Sequence, residues 1–287
     1  RKRTIFNHYA MGRAKEIIVK VIPSKIANEF VKKNHYSGKY ARSTTLSMGC
    51  FLDDKLHGVM QWGNPINKEK VLSLVDTGIK EKNQNWNSFL ELNRMAFDDY
   101  LPKNSESRCM AIAIKLIKKN APHIKWLLSF SDGCQSGDGT IYRASGFYLT
   151  QINVNKSIYE MPNGDKVASL VFGLKYGDDI TAKTNPNGRY GKKVNESVGD
   201  FFKRVGAKPL NGFQLRYIYL IDKTCKITVP ILPFSKIDEM GAGMYKGKKI
   251  TLAERKTSDS SITANAAGFQ LAEEGQHHPI AQNTLPL

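Results

Sequence analysis

Apolar residues recur along the chain with two different periods, and each period predicts one kind of element. In residues 24–34 and 105–119 apolar side chains return every three or four positions, which predicts two amphipathic helices. Ser24 stands where the first helix begins, so we expect its side chain to cap that helix. Either Asn104 or Ser105 is expected to cap the second.

Shorter segments have the pattern of β-strands. Strands are predicted at residues 16–23, 44–52, 58–62, 89–97, 124–131, 147–150 and 213–221. Residues 53–55 form a turn after the second strand, and Asn163-Gly164 indicates a hairpin between residues 157–161 and 166–172. A short helix is predicted over residues 138–146.

The elements follow the order β-α-β-β-β-α-β-α-β with extra strands after it, which indicates one α/β domain with a mixed sheet. The same order resembles the fold of the GCN5-related N-acetyltransferases, in which helices flank a mixed central sheet. From residue 257 onward the chain has little periodicity and no Lys or Arg. We therefore predict one domain over residues 1–256 and a disordered tail over residues 257–287.

The chain is strongly basic, with 43 Lys and Arg against 26 Asp and Glu and a formal net charge of +17. The predicted tail holds three acids and no base, so residues 1–256 carry +20. Such an excess attracts polyanions, and nucleic acid is the first partner to consider. A generically basic protein without such a partner is the alternative.

Composition also argues against several classes of protein. No run of 18 apolar residues occurs, so we expect no membrane partner. The four cysteines form no CxxC pair, which argues against a disulfide framework and a zinc knuckle. With no apolar signal segment at the start, a cytoplasmic location is expected. The oligomeric state is not indicated.

Two polar clusters at the ends of predicted elements are candidates for catalysis. His35 and Tyr36 follow the first helix, and either side chain can orient or deprotonate a substrate amine. Asp132 closes a predicted strand, and in open α/β sheets sites lie beyond such strand ends. The structural alternatives are a histidine at the negative end of a helix dipole and an Asp132-Gly133 turn.

Arg94 is a third candidate, because an arginine among apolar neighbours needs a partner. Alternation places Arg94 and Leu92 on one side of strand 89–97 and Glu91 on the other. The partner is either a bound anion or a structural acid such as Asp98 or Asp132.

Further candidates for substrate or donor binding border these clusters. Ser105 and Arg108 open the second helix, whose free N–H groups either bind an anion or are simply capped. Ser131, Tyr142 and Arg143 border the glycine-rich loop after Asp132, where glycine allows close approach to the backbone. A core position is the alternative for Tyr142.

A basic stretch supplies candidates for nucleic-acid contact. Residues 181–216 hold eight basic and two acidic residues. Arg189, Lys192 and Lys193 suit phosphate contacts, and Tyr190 suits stacking on a base. A flexible solvated loop is the alternative.

Metal binding has weaker support. His35, His57 and Asp132 are the residue types of a two-His-one-carboxylate iron site. No local spacing links the three residues, so the sequence assigns no metal.

Three segments together resemble one known family. NHYSGK (34–39), LNRMAFDDYLPKNSESR (92–108) and SFSDG to GTIYRASGF (129–147) are similar to the Mom proteins, which modify phage DNA and protect it from host restriction. The resemblance covers roughly residues 16–220. It implies an acetyltransferase-like fold and conversion of adenine in duplex DNA to N6-carbamoylmethyladenine in the cytoplasm of the host cell.

The resemblance also assigns residues. By motif, Tyr36 and Asp132 occupy the characteristic Tyr and Asp positions, and Arg94, Ser105 and Arg108 fall on the others. We expect Tyr36 and Asp132 to handle the proton, with His35 orienting Tyr36. The resemblance associates iron with the family, and it names no source for the carbamoylmethyl group.

Two rival functions stay open. An acyl-CoA-dependent N-acyltransferase acting on a small amine or protein would carry a glycine-rich pyrophosphate loop before the helix at 105–119. The chain has no glycine between Gly78 and Gly133, so ordinary CoA binding is not expected. A non-enzymatic DNA-binding protein is the other rival, and the clustered Tyr, Asp and Arg at element ends argue against it.

Overall fold

A computed structural model of the chain gives the arrangement of these elements. It describes residues 13–254 except 103, 135, 156, 163, 165, 169–192, 194, 246–247 and 252. The α-helices are α1 (Ser24–Asn34), α2 (Lys68–Leu72), α3 (Lys82–Trp86), α4 (Ser105–Asn120), α5 (Thr140–Ala144), α6 (Val198–Arg204) and α7 (Ser235–Glu239). The strands are β1 (Ile18–Val21), β2 (Thr44–Leu52), β3 (Lys55–Gly63), β4 (Val75–Asp76), β5 (Phe89–Phe97), β6 (Trp126–Asp132), β7 (Tyr148–Asn155), β8 (Ile158–Glu160), β9 (Lys166–Ala168), β10 (Lys208–Pro209), β11 (Gly212–Leu220), β12 (Lys226–Ile227), β13 (Met244–Tyr245) and β14 (Lys248–Lys249).

Seven strands form one central sheet in the order β1-β2-β3-β5-β6-β11-β7. Neighbouring strands are antiparallel except β5 and β6, which run parallel. Parallel neighbours need a crossover connection, and α4 supplies it. The mixed sheet with flanking helices confirms the predicted fold class.

The described residues also form smaller sheets. β8 pairs with β9 and β10, β4 pairs with β12, and β13 pairs with β14. The β8–β9 pairing confirms the predicted hairpin around Gly164, although its second strand is described only as far as Ala168.

Apolar side chains fill both faces of the central sheet. α1 packs against β2, β3 and β5 and buries Ala27 and Val31 there. The apolar side chains that recur along α4 lie on the other face of the sheet, in a larger core that contains Trp62 and Leu92. The amphipathic pattern of both helices is therefore explained by burial against the sheet.

Both cap predictions are wrong. α1 has Pro23 in the cap position, in an extended conformation, and no side chain caps the helix. The fixed φ of proline suits this position, and Ser24 is already helical. Before α4, Asn104 adopts the left-handed region (φ 69°) and makes no capping bond, whereas a capping residue needs extended backbone. Ser105 Oγ instead donates to the carbonyl oxygen of Pro102 at 2.6 Å.

A bulge in β5 decides where its side chains point. Gln61 pairs with Arg94, but the next residue of β3, Trp62, pairs with Leu92, so Asn93 is an extra residue. Paired residues share a face of the sheet, and Trp62 and Leu92 lie in the core under α4. Arg94 therefore turns to the α1 face with Gln61. Simple alternation, which placed Arg94 and Leu92 on the same side of the strand, is wrong at this position.

The described residues up to Lys249 form one compact unit, and those after it belong to a second. Within the second, the Thr251 N–H donates to Glu254 Oε2 at 2.7 Å. The predicted tail, 257–287, lies outside the described residues. No helix in the described part of the chain is long and apolar enough to cross a membrane.

Gly63, at the end of β3, leaves room for the bulge. A Cβ at this position would overlap the Ser43 carbonyl oxygen and lie 2.7 Å from Asn93 Oδ1. We expect Gly63→Ala to lower the free energy of unfolding by about 1–3 kcal/mol, because a backbone carbonyl cannot move aside cheaply. Urea denaturation measures this change.

Gly199→Ala in α6 is the matched control. Its Cβ would meet nothing closer than Ser197 Oγ at 3.8 Å, and alanine favours helix over glycine by up to about 1 kcal/mol. The two substitutions should therefore have opposite signs. A Gly63→Ala protein as stable as the wild type would contradict the close passage of β3 past Ser43.

Candidate active site

The candidate site lies where β5 and β6 separate. Parallel pairing joins residues 89–91 of β5 to residues 126–128 of β6 and then stops. Beyond that point the described pairings of β5 are with β3, and those of β6 are with β11. A gap therefore opens between the two strands toward their C-terminal ends, with Arg94 on one side and Asp132 at the end of the other.

Tyr36 reaches this gap from the loop after α1. It lies near enough to Asp132, Arg94 and Tyr142 for these ionisable groups to act on it. Burial of the hydroxyl, and then the negative charge of Asp132, raise the pKa of Tyr36 well above its ordinary value. The residue as a whole keeps 52% of its surface exposed. Tyr36 is therefore a protonated phenol at neutral pH, reachable from outside.

His35 is held by its own loop. Its backbone N–H donates to the Val31 carbonyl at 2.9 Å, and its Nδ1 accepts the backbone N–H of Ser37 at 3.1 Å. Burial, and then the charge of Arg94, lower the pKa of His35 to about 4, so the ring is neutral at pH 7 and carries its proton on Nε2. The His35 and Tyr36 ring centroids are 4.1 Å apart, a contact that fits the predicted orienting role.

Arg94 is fixed by backbone carbonyl groups. Its Nε donates to the Lys39 carbonyl oxygen at 2.9 Å, and its Nη1 donates to the Asn93 carbonyl oxygen at 2.6 Å. No described acid forms an ion pair with it, so the structural alternative, a pairing with an acid such as Asp98 or Asp132, is not found. Among the described residues Nη2 has no hydrogen-bond partner. The guanidinium keeps its charge and one edge for an anion.

Glu91 is a site residue that sequence reasoning missed. It pairs with Gly63 and, because of the bulge, shares the α1 face with Arg94. Burial raises the pKa of Glu91 to about 7, against the opposing effects of a hydrogen bond with Asn93 and the Arg94 charge. A carboxyl group with this pKa exchanges protons readily at neutral pH. The signal was an acid within an apolar strand, but alternation placed it opposite Arg94.

Asp132 ends β6 and begins a tight turn. Its Oδ1 accepts the Cys134 N–H at 2.9 Å, and its carbonyl oxygen accepts the Ser136 N–H at 2.8 Å. Burial, and then the charge of Asp132, raise the pKa of the Cys134 thiol to about 12. The cysteine next to the site is therefore protonated and unreactive at neutral pH.

The loop after Asp132 uses most of its polar groups internally. Ser131 Oγ donates to the Gly137 carbonyl oxygen at 2.5 Å. Arg143 Nη2 lies 3.2 Å from Oδ1 of Asp138, a carboxylate that is 2% exposed. Tyr142 is buried, which raises its pKa, and it borders the gap. The substrate contacts predicted for Ser131, Tyr142 and Arg143 stay predictions.

The start of α4 is similarly occupied. Ser105 is buried and bonded to Pro102. Arg108 Nη2 donates to the Lys15 carbonyl oxygen at 3.3 Å, while its Nε is buried without a partner. A donor bound at Ser105 or Arg108 would have to displace these bonds, and the donor-binding prediction for both residues is untested.

The three weak candidates for iron ligands do not converge. Among the described residues, no group of three His, Cys, Asp or Glu side chains is placed to hold a metal ion. His57 is buried in β3, with its Nδ1 2.9 Å from Asp98 Oδ2, whereas His35 and Asp132 border the gap. These three residues do not fit an iron site, and we assign no step to a metal.

The predicted DNA contacts fall mostly outside the described residues, where Arg189, Tyr190 and Lys192 lie. Lys193 is described and exposed. Its backbone N–H donates to Glu196 Oε2 at 2.9 Å. The DNA contacts of all four residues stay predictions.

Comparison with known proteins gives one family match. The family model described as the Mom protein family matches residues 16–236. The chain is 34% identical over 134 residues to the methylcarbamoylase mom of Escherichia phage Mu, a match that covers 47% of this chain and 53% of that protein. The chain thus spans about half the length of the curated relative.

Solved structures show weaker similarity. The ribosomal-protein-S18-alanine N-acetyltransferase of Escherichia coli has 9% identity and a TM-score of 0.37, covering 72% of this chain and 94% of its own. A Bacillus subtilis acetyltransferase in complex with CoA has 11% identity and a TM-score of 0.35, covering 71% and 98%.

The raised pKa of Glu91 gives folding a pH dependence. Between pH values of about 4.5 and about 7, the folded protein keeps a proton that the unfolded chain has released. This contribution to stability is complete below about pH 4.5 and is lost as the pH rises to about 7. From about pH 5 to about pH 8, the wild type should lose up to about 3 kcal/mol relative to Glu91→Gln.

Urea denaturation of both proteins across this pH range measures the difference. The exposed Glu29→Gln variant of α1 controls for the loss of one carboxyl group. Parallel stability profiles for the wild type and Glu91→Gln would show that Glu91 titrates alike in the folded and unfolded chain.

Proposed function

The chain belongs to the Mom protein family, and from this premise we propose that it is a DNA-modifying enzyme. It converts adenine in duplex DNA to N6-carbamoylmethyladenine in the cytoplasm of the host cell and so protects phage DNA from restriction. The identity to a protein named methylcarbamoylase supports this chemistry. The net charge of +17 supports a polyanionic substrate.

The observation that carries the proposal is the meeting of Tyr36, Arg94 and Asp132 at the gap between β5 and β6. These residues come from three separate parts of the chain, and Tyr36 responds to both charges. Perturbed ionisable groups that converge in this way are typical of catalytic sites. A protein that only bound DNA would not need them.

The substrate amine sets the chemical problem. The lone pair on N6 of adenine is delocalised into the ring, so the amine is a poor nucleophile. Inside the duplex the base is also stacked, and an enzyme must extrude it before reacting with it. Tyr36 keeps 52% of its surface exposed, so an extruded base could reach it.

Tyr36, Asp132 and Glu91 have separate roles in proton transfer. As the N6–C bond forms, the amine loses one proton and the donor's leaving group departs with its bonding electrons. Tyr36 keeps its own proton and therefore acts as a hydrogen-bond donor that orients the reacting groups. Asp132 accepts the amine proton, and Glu91, with a pKa of about 7, passes protons to and from solvent.

Arg94 holds the donor or a phosphate through its Nη2 edge. The segment between Gly78 and Gly133 contains no glycine, so the loop that holds pyrophosphate in CoA enzymes is absent from the sequence. This absence supports a donor other than acyl-CoA.

The nucleoside mass of DNA from cells that make the protein tests the proposal. One carbamoylmethyl group in place of hydrogen adds about 57 Da to deoxyadenosine. A gain of about 42 Da would mean acetylation and would favour the acyl-CoA alternative. Unmodified DNA would contradict the proposed DNA modification.

Two substitutions test the assigned roles. Asp132→Asn removes a charge at nearly constant size, and Tyr36→Phe removes one hydroxyl group. If Asp132 accepts the amine proton and Tyr36 orients the reacting groups, each change should reduce adenine modification by about 10²-fold or more. Melting temperature and duplex affinity should change little.

Asp54→Asn and Tyr148→Phe are matched controls away from the gap. Asp54 is in the β2–β3 turn at φ 58°, a conformation that asparagine tolerates, and Tyr148 begins β7. Both variants should modify DNA normally. Near-normal modification by a well-folded Asp132→Asn protein would refute the assignment of Asp132.

A further inference from the structure

The segment from α1 to β2 has a concentrated positive charge. Residues 24–43 contain one acid, Glu29, and five cations, which are Lys25, Lys32, Lys33, Lys39 and Arg42. The segment therefore carries a net charge of +4 over 20 residues. This density is well above that of the chain as a whole.

Three cations in the last turn of α1 and the loop after it are accessible and uncompensated. Lys32, Lys33 and Arg42 are exposed, and in the described part of the chain none of them forms an ion pair. The Lys32 ammonium lies 5.2 Å from the centre of the Tyr40 ring, which places it over the loop that follows α1. Exposed cations without carboxylate partners are available to phosphates.

The same segment forms one wall of the candidate site. His35 and Tyr36 follow Lys33 directly, and the Lys39 carbonyl oxygen accepts a hydrogen bond from Arg94 at 2.9 Å. Gly38, at φ 60°, lets the chain turn back between them. The cations thus lie within six residues of Tyr36 along a loop that is anchored to the site.

We propose that the last turn of α1 and the loop to β2 form the edge on which duplex DNA docks. Lys32, Lys33 and Arg42 contact the phosphates that flank the target base. Duplex DNA has one negative charge about every 1.7 Å along its axis, so a base held at Tyr36 brings several phosphates to this edge. The inference rests on the proposed function, because it takes DNA to be the substrate.

A simpler explanation exists for two of the lysines. Cations in the last turn of a helix stabilise it by offsetting the negative end of its dipole. The helix α4 offers the matched control, because it also has two adjacent exposed lysines in its last turn, Lys118 and Lys119. Neither forms an ion pair with a described residue.

The control pair lies at the opposite end of the strands. α4 ends at Asn120, shortly before β6 begins at Trp126, whereas the site is beyond Asp132 at the other end of β6. Six residues of extended strand span about 20 Å. The two lysine pairs therefore match in charge, helix position and exposure, and they differ in their distance from the site.

The test is the salt dependence of duplex binding by three proteins. These are the wild type, Lys32→Gln/Lys33→Gln and Lys118→Gln/Lys119→Gln, with folding checked by melting temperature. Each lost phosphate contact reduces the magnitude of the negative slope of log affinity against log salt by about 0.9, so the α1 pair should reduce it by about 1.8. The α4 pair should leave the slope unchanged, and Arg42→Gln should reduce its magnitude by about 0.9.

Equal changes from both lysine pairs, an unchanged slope for the α1 pair, or no duplex binding at all would overturn the docking edge. Binding is measured without turnover, so its outcome is independent of the nucleoside mass. A slope change with unmodified DNA would support the docking edge and refute the proposed chemistry. Modified DNA with an unchanged slope would support the proposed chemistry and refute the docking edge.

Discussion

The site depends on the early end of parallel pairing between β5 and β6. Backbone groups that stay paired bring two strands within hydrogen-bonding distance and leave no room for a substrate. Here pairing ends after Glu91 and Leu128, so β5 and β6 separate. Each of them stays paired with its other neighbour, β3 or β11. The bulge at Asn93 lies just beyond this point and turns Arg94 to the same face as Glu91. The gap and its charged lining thus arise from two adjacent irregularities.

Two arginines near the gap differ in their hydrogen-bond partners, and this difference distinguishes a structural role from a role in binding. Arg143 neutralises Asp138, a nearly fully buried carboxylate, and such a pair holds the loop after β6 in place. Arg94 is held by two carbonyl oxygens, which fix its position without cancelling its charge. A guanidinium held in this way attracts an anion at a fixed position. Burial, and then the charge of Arg94, lower the pKa of His35 and keep its ring neutral.

The loop after α1 links the site to its surroundings. It carries Tyr36 to the gap and gives the Lys39 carbonyl oxygen to Arg94. Arg42 in this loop and Lys32 and Lys33 in the preceding helical turn are exposed. A polyanion bound to them would lie close along the chain to Tyr36, because one short segment holds both sets of residues.

Local pattern determined much of the fold. The periodicity of α4, the strand at residues 89–97 and the turn at Asp53-Asp54 were predicted from sequence and are found in the structure. These features depend on residues close in the chain, whose burial and backbone preferences the sequence states directly. The motifs also placed His35, Tyr36, Arg94 and Asp132 at element ends or in a strand.

Only the tertiary structure decided how these residues meet. The bulge at Asn93 is a property of the β5 pairing with β3, so alternation along β5 alone placed Arg94 on the wrong face and missed Glu91. The cap at Ser24 failed because Pro23 took the position, and the suggested iron site failed because no three such side chains converge among the described residues. Partners distant in sequence fix hydrogen bonds and desolvation, and these decide which polar side chain is structural and which is available for chemistry.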